Sequence, residues 1–189
     1  MDVLEDPEST AIVARARHQD RAAFTALVSP RLKRWLRIAS AILGNETDAL
    51  DALQGTLVAI WSTLPGLRDA SRFDGWSTRI LVNESRRVLR RRVRTRVHEI
   101  SLNSSLGSAQ ATGHSEPDDV ANVDNRAALE GAFERLDVDA RALLVLHHIE
   151  DLSVVAIAET LGIPEGTVKS RLFTARGALA RALAEEIPS

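Results

Sequence analysis

Cysteine is absent from the 189-residue chain, which excludes disulfide frameworks, thiolate metal sites, cysteine nucleophiles and any thiol-based redox sensor. That suits a reducing compartment. No apolar run approaches the roughly 18 residues that a membrane span needs, and the opening MDVLEDPEST is acidic rather than basic. The expectation is a cytoplasmic chain with neither signal peptide nor membrane insertion. Strand-like alternation is missing as well. The five histidines (His18, His98, His114, His147 and His148) show no metal-ligand spacing with carboxylates. There is no glycine-rich phosphate loop and no serine in a nucleophile-elbow context. Neither an enzyme nor a bound metal or cofactor is expected.

The net charge of -2 hides a division. Residues 1–19 carry -2, residues 20–96 carry +8, and residues 97–189 carry -8. Seven arginines crowd residues 86–96: Arg86, Arg87, Arg90, Arg91, Arg92, Arg94 and Arg96. Such a density self-repels unless a polyanion or solvent accepts it, so nucleic acid is the first partner to consider. The competing reading is a solvated helix end whose cations favour the negative end of the helix dipole.

Nearly every segment outside the middle has helical period. Residues 9–18 form a short candidate helix, and Asp20 opens a second with Phe24, Leu27 and Val28 on one face. Ser29 and Pro30 read as an N-cap and first helical proline for a helix over 31–43. Gly44 and Asn45 stop it. Asn45 or Thr47 can cap the next, through about Thr63, where Leu50, Leu53, Leu57, Ile60 and Trp61 recur at three- and four-residue spacing. A short loop over 65–72 precedes a long helix from Phe73 through Trp76, Ile80 and Val88 into the arginine run. Residues 101–125, rich in Ser, Asn, Gly and Asp, have too little apolar surface to offset the entropy of ordering. The fold class is therefore all-α: two small helical domains, 1–98 and 126–189, joined by a flexible linker over 99–125.

The sharpest local pattern lies in residues 152–172. Ser153 can cap a helix through Leu161, Gly162 permits a left-handed turn, and Pro164 opens a second helix. That is helix-turn-helix spacing. On the second helix Val168, Leu172, Ala175, Leu179 and Leu183 share one face, while Gly166, Ser170, Phe173, Thr174 and Gly177 face out, with Lys169, Arg171 and Arg176 on the flanks. A helix lying in the major groove needs an apolar back, a polar front and flanking cations for phosphates. An ordinary helical hairpin with a solvated face is the competing reading. Phe173 speaks against it, because an outward phenyl ring could touch a thymine methyl; it could equally cover a neighbouring helix.

Ile163-Pro-Glu-Gly-Thr-Val-Lys-Ser-Arg-Leu172, with Ala175 and Arg176 after it and Leu136 and Ala140-Arg-Ala-Leu-Leu-Val-Leu146 before it, resembles the sigma-four domain of extracytoplasmic-function sigma factors. Asp20 and Phe24, then Asp48-Ala-Leu-Asp51 with Gln54 and Trp61, then Phe73-Asp-Gly-Trp76 with Arg79, Ile80 and Asn83, resemble the sigma-two domain in order and spacing. The resemblance implies a helical initiation factor whose partners are core RNA polymerase, promoter DNA and an anti-sigma factor, and which is a monomer when free. It implies a core-polymerase surface at Asp51, Gln54, Leu57, Val58 and Trp61, with plain core packing the competing reading for Leu57 and Trp61. It places minus-ten recognition at Arg68, Asp69, Ser71 and Arg72 of the loop and at Asn83, with Arg86, Arg87 and Arg90 on phosphates. Minus-thirty-five recognition falls to Thr167, Ser170, Arg171, Phe173 and Thr174, with Lys169 and Arg176 on the backbone.

The chain departs from that pattern where Leu50 and Gly55 stand in place of acidic residues, where Val154, Val155 and Ala156 replace aromatic and acidic ones, and where Thr174 replaces a common arginine. An altered promoter preference is expected. A helix-turn-helix regulator that binds duplex DNA without polymerase is the alternative.

Overall fold

A computed structural model describes residues 7–102 and 120–186. Among the described residues the regular structure is entirely helical. Helix α1 (Pro7–Arg17) turns back into α2 (Arg21–Val28) through Gln19, at φ 63. Asp20 holds this corner. Its Oδ1 accepts from Ala23 N at 3.0 Å as the N-cap of α2, and its Oδ2 accepts from Arg15 Nη2 at 2.7 Å.

Ser29 does not take the capping role that the sequence suggests. Its backbone is helical (φ -54, ψ -43) rather than extended, so its hydroxyl turns back and donates to Thr25 O at 2.7 Å. Ser29–Arg31 is a 3-10 turn containing Pro30, and α3 (Leu32–Leu43) follows directly. Trp35, Ile38, Ala39, Ile42 and Leu43 of α3 are buried, and Gly44 closes it in a left-handed conformation.

Helix α4 (Glu46–Thr63) is capped by Asn45, whose side chain accepts from Asp48 N at 2.7 Å. Its innermost face is not the leucine repeat. Ala49, Ala52, Thr56 and Ile60 are buried, Leu53, Leu57 and Trp61 are half-buried, and Leu50 is 48% exposed. Short side chains let α4 approach its neighbours α3 and α5 (Phe73–Leu102), and the buried Thr56 hydroxyl is satisfied by Ala52 O at 2.7 Å. The large apolar groups are thereby displaced toward the rim.

The rear half comprises α6 (Val120–Glu134), α7 (Val138–His148), α8 (Val154–Leu161) and α9 (Glu165–Glu186). Both ends of the expected linker join helices, since α5 runs to Leu102 and α6 starts at Val120; residues 103–119 lie outside the described residues. Asp137 caps α7 through Asp139 N and Ala140 N, both at 2.8 Å. Two helical units are present as expected, and they are packed together. Helix α3 lies on α7, and α5 lies on α8 and α7, so that one apolar cluster spans both units.

Charged groups line this contact. The Glu150 side chain, 3% exposed, receives Arg34 Nε at 2.5 Å and Arg37 Nη2 at 2.7 Å. Buried Arg141 donates to Leu136 O at 3.0 Å, to Glu134 O, and across the contact to Ile42 O at 3.3 Å. It satisfies carbonyls at the ends of α6 and α3 that no longer have helical partners.

Candidate nucleic-acid and protein-binding surfaces

The first surface is the outer side of α4. Asp51, Gln54 and Val58 are exposed, Val58 at 65%, and Leu50 adds apolar area at the rim. Leu57 packs half-buried against the core. Trp61 meets the Phe24 ring edge-on at 4.9 Å between centroids, and Gln19 Nε2 donates to Trp61 O at 3.1 Å. Asp51 and Asp48 also reach α5. Arg91 Nη2 donates to Asp51 Oδ2 at 2.7 Å, and Arg92 Nη1 to Asp48 Oδ2 at 3.1 Å. Part of the arginine run is thus neutralised by carboxylates of the protein itself, which sequence density alone does not reveal.

The second surface is the segment before α5. Two 3-10 turns, Leu64–Gly66 and Ala70–Arg72, are pinned by buried Leu64, Leu67 and Phe73. Arg31 fixes the exit by donating Nε to Asp74 Oδ1 at 2.5 Å and laying its guanidinium 5.1 Å from the Phe73 ring centre. At the exposed tip, Asp69 Oδ1 accepts from Ser71 Oγ at 2.6 Å and Ser71 N at 3.0 Å. The Ser71 hydroxyl, then the Ser71 amide, holds the Asp69 carboxyl below its ordinary range. Arg68 and Arg72 are exposed beside it.

Asn83 lies three turns along α5, about 15 Å from Phe73. It is exposed and accepts from Arg86 Nη1 at 2.9 Å, while Arg86 Nε reaches Asp139 Oδ1 of the rear half at 2.5 Å. Arg87 lies 3.4 Å from Glu84, and Arg90 is exposed.

The third surface is the helix-turn-helix. Ser153 Oγ accepts from Ala156 N at 3.1 Å, and Gly162, at φ 67, ends α8 with its N–H on Ala158 O at 2.8 Å. Val168, Leu172 and Ala175 of α9 face inward with Ala182; Leu179 and Leu183 are half-buried, a drift that follows from the 3.6-residue turn. Lys169, Ser170, Arg171, Thr174 and Arg176 are exposed, Thr167 is half-buried, and Phe173 is 81% exposed. Ser170 and Thr174 donate their hydroxyls to Thr167 O and Ser170 O, both at 3.1 Å, which leaves oxygen lone pairs outward. Arg176 Nε approaches His148 Nε2 at 3.4 Å. Burial, the neighbouring His147 and Arg176 all lower the His148 pKa. His147 instead bonds Leu152 O at 2.9 Å, and its ring meets that of His148 edge-on at 4.7 Å between centroids.

Sequence reasoning missed three participants. Glu150 and its two arginines carry no local pattern, being more than one hundred positions apart; His148 beside Arg176 and Glu84 beside α4 are likewise visible only in three dimensions. Among the described residues no group of three or more His, Asp or Glu could hold a metal ion, and no helix is long and apolar enough to cross a membrane.

Residues 27–95 match the family model of sigma-70 region 2, and residues 126–179 match that of sigma-70 region 4. The extracytoplasmic-function (ECF) RNA polymerase sigma factor SigE of Mycolicibacterium smegmatis is 31% identical over 186 residues, which is 96% of this chain and 70% of that protein. SigM of Mycobacterium tuberculosis, of the same class, is 31% identical over 164 residues, covering 87% and 79%. Among solved structures, CnrH in complex with the cytosolic domain of CnrY superposes with a TM-score of 0.62 at 25% identity, covering 95% of this chain and 99% of that one. The sigma factor RpoE of Bartonella quintana, bound to the anti-sigma factor NepR, shares the fold with a TM-score of 0.59 at 24% identity, covering 85% and 96%.

Proposed function

The chain belongs to the extracytoplasmic-function sigma factors of RNA polymerase, and we propose how its three surfaces divide the work of promoter-specific initiation. As a sigma factor it binds core RNA polymerase and directs it to promoters. The regulator alternative is set aside, because residues 27–95 match sigma-70 region 2 as well. The observation that carries the reading is the presence of both regions in order on one chain.

Asp51, Gln54, Val58 and the flanking Leu57 and Trp61 form the core-polymerase contact. Exposed apolar area beside carboxylates is what a partner of mixed character would cover. The tip at Arg68, Asp69, Ser71 and Arg72 captures an unstacked base of the minus-ten element. Unstacking costs a few kcal/mol, and a tip whose Asp69 is already bonded to Ser71 loses little entropy in offsetting that cost. Asn83 supports this site from α5, while Arg86, Arg87 and Arg90 take phosphates once Arg86 leaves Asp139. Thr167, Ser170, Arg171, Phe173 and Thr174 read the minus-thirty-five duplex in the major groove, where each good base contact discriminates by about 1–3 kcal/mol. Lys169 and Arg176 hold the DNA backbone there.

The free protein is a cytoplasmic monomer in this reading, held by an anti-sigma factor that covers the exposed α4 face. RpoE of Bartonella quintana, which shares the fold, is bound to an anti-sigma factor, and this supports a partner of that class. Catalysis belongs to polymerase. The test is run-off transcription with purified bacterial core enzyme on a randomised promoter library. Defined start sites that share two spaced sequence elements are expected; failure to bind core or to start RNA chains sinks the reading.

A further inference from the structure

We infer that Gly55 and Glu84 act as a pair, the glycine clearing a seat on α4 into which α5 delivers the Glu84 carboxylate as part of the polymerase-binding face. This rests on the assignment of that face to core polymerase. Asp51, Gln54, Gly55 and Val58 follow one another at i, i+3, i+4 and i+7, a single stripe of α4. All except Gly55, which is half-buried, are exposed. Position 55 contributes no side chain of its own, yet a Cβ there would lie 2.7 Å from Glu84 Oε2 and 3.3 Å from its Cδ. The carboxylate of another helix therefore occupies the place where a side chain from position 55 would begin. Glu84 is 17% exposed, and Arg87 Nη1 approaches the same oxygen at 3.4 Å.

Local structure supplies no other reason for glycine at this position. Gly55 is nine residues inside α4, where glycine is less favourable than alanine, and it is not among the glycines with positive φ. The group that a Cβ would strike is the far end of a flexible side chain, which can move without shifting any backbone. Alanine at 55 should therefore suit the helix better while pushing the carboxylate off its seat. Stability and partner binding then change in opposite directions. Asp51 meets Arg91 at 2.7 Å and Glu84 meets Arg87 at 3.4 Å, so the face, with exposed Leu50 and Val58 on α4, carries both signs of charge and suits a partner surface of mixed charge and apolar groups.

The test measures melting temperature and affinity for purified core RNA polymerase on the full chain. Gly55→Ala is expected to raise the melting temperature by about 2–4 °C and to weaken core binding about tenfold. Glu84→Gln, which leaves position 55 untouched, should weaken binding similarly. Combining Glu84→Ala with Gly55→Glu, which supplies the carboxylate from α4 itself, should recover affinity to within about threefold. Val58→Arg probes the face independently, because Val58 is exposed. If Val58→Arg weakens binding but Gly55→Ala and Glu84→Gln bind like the parent, the pairing is overturned alone. If Val58→Arg binds normally, the face assignment falls and the pairing with it. A lowered melting temperature for Gly55→Ala overturns the steric premise.

Discussion

Phe173 keeps 81% of its surface in solvent on the outward side of α9, so cutting back its ring removes nothing from the core. Phe173→Ala is expected to change stability by less than about 0.5 kcal/mol. It should nevertheless relax the preference for thymine at one minus-thirty-five position, read by comparing promoters selected from a library with each protein; an identical preference would remove the ring from recognition. Asp69 is the opposite kind of residue, since its carboxylate shapes its own loop through Ser71. Asp69→Ala should leave core binding intact while slowing promoter opening, measured as permanganate reactivity of unpaired thymines. Equal losses in both steps would instead indicate a general folding defect.

Among the helices, α8 shows how far short-range chemistry reaches. Its start is fixed by Ser153 and its end by Gly162, both evident from residue type. Ser153→Ala is expected to cost about 1 kcal/mol, a fall of about 2–4 °C in melting temperature. Thermal unfolding by circular dichroism checks this, and an unchanged midpoint would mean that the cap contributes nothing. Gly162→Ala should cost more, because φ is 67° and an added Cβ would lie 2.8 Å from Arg79 Nη1 of the front half. Helix α4 marks the limit of such reading. Its leucines suggested the buried face, but Ala49 and Ala52 occupy it because close approach to α3 and α5 favours small groups over large ones. The displaced Leu50 is left at the exposed rim beside Val58.

At the level of the whole molecule, the acidic rear half meets the basic front half through Glu150 and Asp139. Burial pushes the Glu150 carboxyl up, but hydrogen bonds from Arg37 and Arg34, together with their charges, outweigh it and leave the pKa below the ordinary 4.5. A carboxyl lowered in the folded state stabilises it fully above the unfolded pKa, and that contribution fades as pH falls through the folded value. Stability should therefore fall more steeply with acid in the parent than in Glu150→Gln below about pH 4.5. At neutral pH, Glu150→Gln is expected to cost about 2–3 kcal/mol, below the range for fully buried pairs because Arg37 is mostly exposed. It should also lengthen the distance between fluorophores placed on α3 and α7. Parallel acid profiles for the two proteins would show that Glu150 does not join the halves.

Residue types alone pointed to most of the helices, to caps at Asp20 and Ser153, to the turn at Gly162 and to the outward face of α9, because each follows from chemistry within a few positions of the chain, while the likeness to a sigma family lay in motifs spread over both halves. The choice of Asn45 over Thr47 and the cap at Asp137 came from the structure. The fate of the arginines was decided only by tertiary structure. Whether Arg34, Arg37 and Arg86 face solvent, DNA or a carboxylate depends on groups up to 116 positions away. Side-chain charge is fixed by residue type, but its partner is chosen by packing.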